Sequence, residues 1–263
     1  MREIPILQFH SVSDGSEGPE DRRLSAAFFA ERMAWLAENN YRVVSLDEAV
    51  AYMRGETSLE EPCVALTFDG AFPSAVTTVL PVLARHGYPA AFFVPVSCVG
   101  GMGRLDGKDY PCMKWDDVKH LAAEGMTVGA WGLTGPKFKG LEPERARREI
   151  EEAKSRLEEA LGQPVAYFAV TEGVPNRQEK AWLGRAEWQA CFTQCPTYCR
   201  SSLWNIGRIQ IDDDDPNIFA FKCSQTYLFF KDKQLWRVIR KCKLDRIAHR
   251  VSKAVEARRV RRY

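Results

Sequence analysis

Apolar residues fall along this chain in two alternating rhythms. Short continuous apolar runs mark strands buried on both faces, and stretches with apolar residues three and four apart mark one face of a helix. Residues 64–68 form one such run, closed by Asp69-Gly70. Val76, Val79, Leu80 and Leu83 then keep helical spacing, Gly87 closes the helix, and residues 90–94 form the next run. Two buried strands joined through a helix make a parallel unit. In such folds ligands meet the carboxyl ends of the strands, and Asp69 falls at one of those ends.

The alternation continues in both directions. Residues 4–9 read as a first strand that ends at His10. Phe28, Phe29, Met33, Leu36 and Ala37 share one face of a helix over 24–39, with Ser25 as its N-cap. A strand at 41–45 and a helix at 46–54 follow, and the Gly-rich stretch 100–113 reads as a loop over the mouth of the fold. A helix at 115–123 ends at Gly125, a strand spans 126–130 and a loop 131–138. Residues 143–161 form a charged helix with pairs such as Glu144 and Arg148, ended by Gly162. Strands at 165–170, 188–193 and 206–211 enclose a helix at 176–183, and Asp215-Pro216 supplies a cap and first-turn proline for a last helix. This order predicts a parallel α/β barrel, and 263 residues suit one such domain. No internal repeat interrupts it.

Two motifs carry a resemblance. Thr67-Phe68-Asp69-Gly70-Ala71-Phe72 resembles the T-F-D-D-G-Y motif of the polysaccharide deacetylases, the NodB-homology family. Pro89-Ala90-Ala91-Phe92-Phe93-Val94 resembles the family's P-A-T-F-F-V strand, and His10-Ser11-Val12 its opening Y-H-S-V. The likeness covers residues 4–225 and implies a distorted (β/α)7 TIM-like barrel. It also implies hydrolysis of N-acetyl groups on sugars, with a zinc-type metal held by one aspartate and two histidines. Such a metal lowers the pKa of its bound water and polarises the acetyl carbonyl.

The metal positions are where this chain departs from the family. Asp69 keeps the place of the general base, but Gly70 stands where the second aspartate belongs. The family's H-x-x-x-H-P run corresponds to Trp131-Gly132-Leu133-Thr134-Gly135-Pro136, with Trp131 and Gly135 in place of the histidines. Neither an indole nor a hydrogen offers a lone pair. The third motif reads Phe168-Ala169-Val170-Thr171-Glu172-Gly173 and lacks the family's Arg and Tyr. The expectation is therefore no cofactor. His10, Asp69, Trp131 and Glu172 remain as candidate substrate-binding residues, and Asp69 as the one candidate catalytic group.

Other chemistry-bearing residues have plainer readings. His86 and His120 sit at helix ends and His249 in a basic tail, so only His10 points toward the mouth. Cys191, Cys195 and Cys199 are spaced by four, but Pro196 breaks any helix that would align them on a metal. The acidic run 212–215 reads as a solvated loop plus helix cap, with a hard-cation site as the alternative.

Charge changes the picture at one end. Residues 231–263 hold thirteen Lys/Arg against three Asp/Glu, whereas the whole chain is only +2. Leu235, Val238, Ile239 and Cys242, then Leu244, Ile247, Ala248, Val251, Ala254 and Val255, keep helical spacing there. The chain thus divides into a barrel at 1–230 and a basic helical tail at 231–263. The tail fits an anionic membrane surface, or packs its apolar stripe on the barrel; it lacks a nucleic-acid-binding fold, and no nucleic acid is expected. The first residues do not pattern as an export signal and no long apolar window is present, so the expected location is cytoplasmic, peripheral on the inner membrane face, with reduced thiols. Three functions stay open. One is a barrel of surface-polysaccharide or lipopolysaccharide assembly that binds a carbohydrate or lipid-linked sugar without metal-dependent deacetylation. The second is an active N-acyl-sugar hydrolase with a non-standard site at Asp69, His10 and Glu172. The third is a non-catalytic scaffold for a glycan-assembly enzyme.

Overall fold

The computed structural model describes residues 4–227, apart from 13–22, 61, 106, 136, 171–172, 195–201, 213–214 and 225–226. Strands β1 (Ile6–Phe9), β4 (Arg42–Val44), β5 (Cys63–Asp69), β6 (Ala91–Val94), β9 (Thr127–Ala130), β10 (Tyr167–Ala169), β11 (Ala190–Thr193), β12 (Ile206–Gly207) and β13 (Ile209–Gln210) form one sheet, while β2 (Ser11–Val12) and β3 (Arg23–Leu24) pair with each other. The order of the large sheet is β12-β11-β10-β9-β6-β5-β1-β13, every pairing in it is parallel, and β4 lies on the first half of β5. The two ends of that path, β12 and β13, are separated by Arg208 alone, so the sheet is nearly closed into a barrel. Helices α1 (Ala26–Glu38), α2 (Leu46–Arg54), α3 (Leu80–His86), α4 (Trp115–Ala123), α5 (Pro143–Leu161), α6 (Arg177–Arg185) and α7 (Pro216–Cys223) connect and follow the strands. No helix among the described residues is long and apolar enough to cross a membrane.

The strand period of two decides what faces outward and what faces inward. Phe9, Phe68 and Phe92 stack across β1, β5 and β6 with ring centroids 5.1 and 4.9 Å apart, and Phe29 of α1 packs edge-on against the first two. That face meets the helices. The alternate residues Gln8, Thr67, Asp69 and Phe93 meet one another, Phe192 and Arg208 inside the barrel. Caps place the helices as read from the sequence: Ser25 accepts from Phe28 N at 3.0 Å, and Asp215 accepts from Asn217 N at 2.8 Å. Ser45 with Glu48, and Asn176 with Glu179, add reciprocal capping boxes.

Two sequence expectations are corrected. The stretch 100–113 is not a plain loop: β7 (Met102–Leu105) and β8 (Lys108–Pro111) form an antiparallel hairpin. Leu105 pairs with Lys108, and Gly107 has φ +80°, a conformation that glycine adopts without strain in tight hairpin turns. Gly103 faces Tyr110, whose ring would lie 2.6 Å from any Cβ placed there. The strand expected over 206–211 is also interrupted, with β12 pairing β11 and β13 pairing β1. The break falls at Arg208, whose backbone N bonds Thr193 O at 3.1 Å while its side chain turns into the barrel. The tail at 231–263 lies outside the described residues.

Candidate functional site

The carboxyl end of β5 delivers Asp69 into a closed set of contacts. Arg208 Nη1 and Nη2 donate to Asp69 Oδ1 and Oδ2 at 2.5 and 2.7 Å, and Gln8 Nε2 donates to Oδ2 at 2.6 Å. The guanidinium lies 5.2 Å from the centroid of the Phe93 ring. Asp69 and Arg208 are both 0% exposed. Both carboxylate oxygens are thus engaged by a two-pronged ion pair of the strong, geometrically specific kind. Gln8 Oε1 and Arg208 Nε find no hydrogen-bond partner, so the cluster is bound together around the carboxylate and not around itself.

The residues at the three metal positions do not fit a metal. Gly70 has φ +103°, and a Cβ there would meet Phe72 Cε2 at 2.5 Å. An aspartate at that position would be strained and in collision with the ring. Trp131, at the end of β9, is 2% exposed, and a Cβ on Gly135 would lie 3.5 Å from its Cε3. The indole fills the space beside Gly135, and its Nε1 finds no hydrogen-bond partner. Among the described residues no group of three His, Cys, Asp or Glu is placed to hold a metal ion. The loop that carries Trp131 is fastened from outside: Glu149 on α5 accepts from Thr134 N at 2.7 Å and from Thr134 Oγ1 at 2.6 Å.

The structure brings three of the four candidate residues to one end of the barrel. His10 follows β1, with its ring 6.4 Å from that of Trp131 in an edge-to-face arrangement. His10, Asp69 and Trp131 are each buried to within 5% of full cover, so they form a packed floor and not the wall of an open cleft. Glu172 lies outside the described residues, as do Asp213 and Asp214 of the acidic run; Asp215 is the cap of α7. Two residues escape a reading by motif, Arg208 and Gln8. Their signal was a charged and an amide residue at inward positions of otherwise apolar strands.

A family model described as polysaccharide deacetylase matches residues 56–189, and the chain belongs to that family. A putative polysaccharide deacetylase of Bacillus subtilis (strain 168), YxkH, is 23% identical over 175 residues, 66% of this chain and 58% of that protein. A chitooligosaccharide deacetylase of Rhizobium leguminosarum bv. trifolii is 32% identical over 139 residues, 51% of this chain and 59% of that one. The chain therefore spans less than two thirds of the length of these relatives. Among solved structures, IcaB from Ammonifex degensii superposes with a TM-score of 0.69 at 24% identity, covering 83% of this chain and 94% of that one. That likeness shows the shared barrel. Arg208, Gln8 and His10 all lie outside the matched stretch 56–189.

Proposed function

We propose that this chain is a polysaccharide-deacetylase-like protein of surface-polysaccharide metabolism that engages a glycan without metal-dependent deacetylation. The observation that carries the reading is the state of Asp69. The residue at the general-base position has no exposed surface, and its oxygens accept from Arg208 and Gln8. A general base must lie within hydrogen-bond reach of the proton it takes, and here that reach is occupied. The Trp131 indole occupies the adjoining space and the metal positions carry no ligand atoms. A sugar would then meet the rim above Trp131 and His10. The chemistry of the relatives supports N-acetylglucosamine oligomers as the substrate class to try, since one of them is a chitooligosaccharide deacetylase. A filled mouth also favours a second reading, a scaffold that has no glycan site of its own. The basic tail at 231–263 is proposed to meet an anionic membrane surface, supported by its thirteen Lys/Arg.

Three measurements on the purified full chain separate the readings: metal content by mass spectrometry, acetate release from chitooligosaccharides, and binding of the same oligomers by calorimetry. The expected result is no stoichiometric metal, no acetate, and saturable binding. Acetate release abolished by Asp69→Asn would overturn the non-catalytic reading. Absence of both acetate and binding would leave the scaffold.

A further inference from the structure

We propose that Cys98 and Cys112 form a redox-active dithiol which closes to a disulfide and latches together the loops at the barrel mouth. Backbone geometry brings the pair together from the two ends of the hairpin. Gly101 N donates to Cys98 O at 3.0 Å, and Cys112 N donates to Gly101 O at 2.9 Å, so a tight turn folds Cys98 back onto the residue that follows β8. Gly100 N donates to Met113 O at 2.9 Å and adds a second tie. The two side chains are in hydrogen-bond contact, and both are free thiols.

The two thiols are not equivalent. Cys98 is partly exposed, and its chain neighbours Ser97 and Val99 line an open groove with Val96, Trp115, Arg156 and Glu159. Cys112 is buried. The hydrogen bond from Cys112 holds the Cys98 thiol down to about 7, and the same bond pushes the Cys112 thiol up. A reachable, thiolate-prone cysteine next to a protonated one is the arrangement of an attacking and a resolving thiol. With a peroxide as oxidant, the Cys98 thiolate sulfur attacks one peroxide oxygen. An S–O bond forms, the O–O bond breaks, and the leaving hydroxide takes a proton as water. The Cys112 sulfur then attacks the Cys98 sulfur, the S–S bond forms, and the sulfenic oxygen leaves as a second water with the Cys112 proton. Two thiols are oxidised and one peroxide is reduced to two waters.

The latch would act on the mouth because each cysteine is tied to a different loop. Ser97 N and Oγ both donate to Leu133 O at 2.8 Å, so Cys98 moves with the loop that carries Trp131. Met113 N donates to Ala71 O at 2.7 Å, and Phe72 packs 4.6 Å from Tyr110, so Cys112 moves with the loop that follows Asp69. Oxidation would join those loops covalently across the hairpin.

The test uses the full chain, reduced and then treated with a small excess of hydrogen peroxide. Remaining thiols are blocked with N-ethylmaleimide and the peptides mapped by mass spectrometry. The expected product is a Cys98–Cys112 disulfide, with Cys191 and Cys223 still alkylated on denaturation. Tryptic cleavage at Arg104 and Lys108 in the hairpin should become several-fold slower after oxidation. In Cys112→Ala, peroxide should leave a dimedone-reactive sulfenic acid on Cys98 and cleavage should no longer respond. Retention of both alkylated thiols after peroxide, or preferential pairing of other cysteines, overturns the dithiol. A disulfide that forms without changing hairpin cleavage overturns the latch. The unmodified sequence alone decides the first point, so a poorly folding variant cannot mask it.

Discussion

A carboxylate taken wholly out of water costs several kcal/mol unless its charge and lone pairs are matched. At Asp69 the match is Arg208, from the break between β12 and β13, 139 residues along the chain, with Gln8 as third donor. Removing one partner leaves the other charge buried and uncompensated. Arg208→Met should therefore lower unfolding free energy by about 3–5 kcal/mol in urea titration. Adding Asp69→Leu to that variant should recover most of the loss, because an apolar pair of similar volume needs no compensation. An Arg208→Met protein as stable as the parent would show the pair to be energetically idle. At the neighbouring position, Gly70→Asp restores the family's ligand on paper. Its φ of +103° and the 2.5 Å approach to Phe72 set the backbone against it. The expected cost is about 1–3 kcal/mol, with no gain in zinc uptake. Equal melting temperatures for Gly70→Asp and parent would show that the loop relaxes. The Asp69 position was legible from a strand end and a motif. Arg208 was not, because nothing local to residue 208 names its partner.

Among the elements, the hairpin at 102–111 and the interrupted strand at 206–211 are the two misread from sequence. The hairpin's strands are short and carry charges, so the alternation was weak and the glycines read as loop. What stabilises it is contact: Tyr110 covers Gly103 on one side and packs on Phe72 on the other. The short helical turn Val96–Cys98 that precedes it sets a thiol for titration. Cys112 lowers the Cys98 thiol to about 7 by hydrogen bonding; burial opposes this, Ser97 assists and the Glu149 charge opposes. Tyr110 also faces the pair, its own hydroxyl pushed up by burial. Alkylation by iodoacetamide proceeds through the thiolate. Its rate at Cys98 should thus rise with pH and reach half its plateau near pH 7. In Cys112→Ala the midpoint should move up toward the ordinary thiol range. A midpoint that stays in place would remove Cys112 from the explanation.

At the scale of the whole molecule, charge is divided between an acidic barrel and a basic tail. Each Lys or Arg near an anionic leaflet contributes about 1 kcal/mol, and salt weakens the contribution because exposed charges are screened beyond about 8 Å at physiological ionic strength. The full chain should sediment with anionic vesicles and not with neutral ones. Replacing Arg258, Arg259, Arg261 and Arg262 by Gln should weaken that binding at least tenfold. Binding indifferent to lipid charge would leave the tail as ordinary packing. The sequence by itself determined most of the order of strands and helices, the parallel barrel and which residues stand at the three ligand positions. Each of those follows from local periodicity or from the identity of single residues. Only the tertiary structure decided that Asp69 is sealed, that Trp131 fills the mouth, and that two cysteines meet across a hairpin. Those facts depend on barrel closure, which sets side chains from opposite ends of the chain within hydrogen-bond distance, and no local pattern encodes that distance.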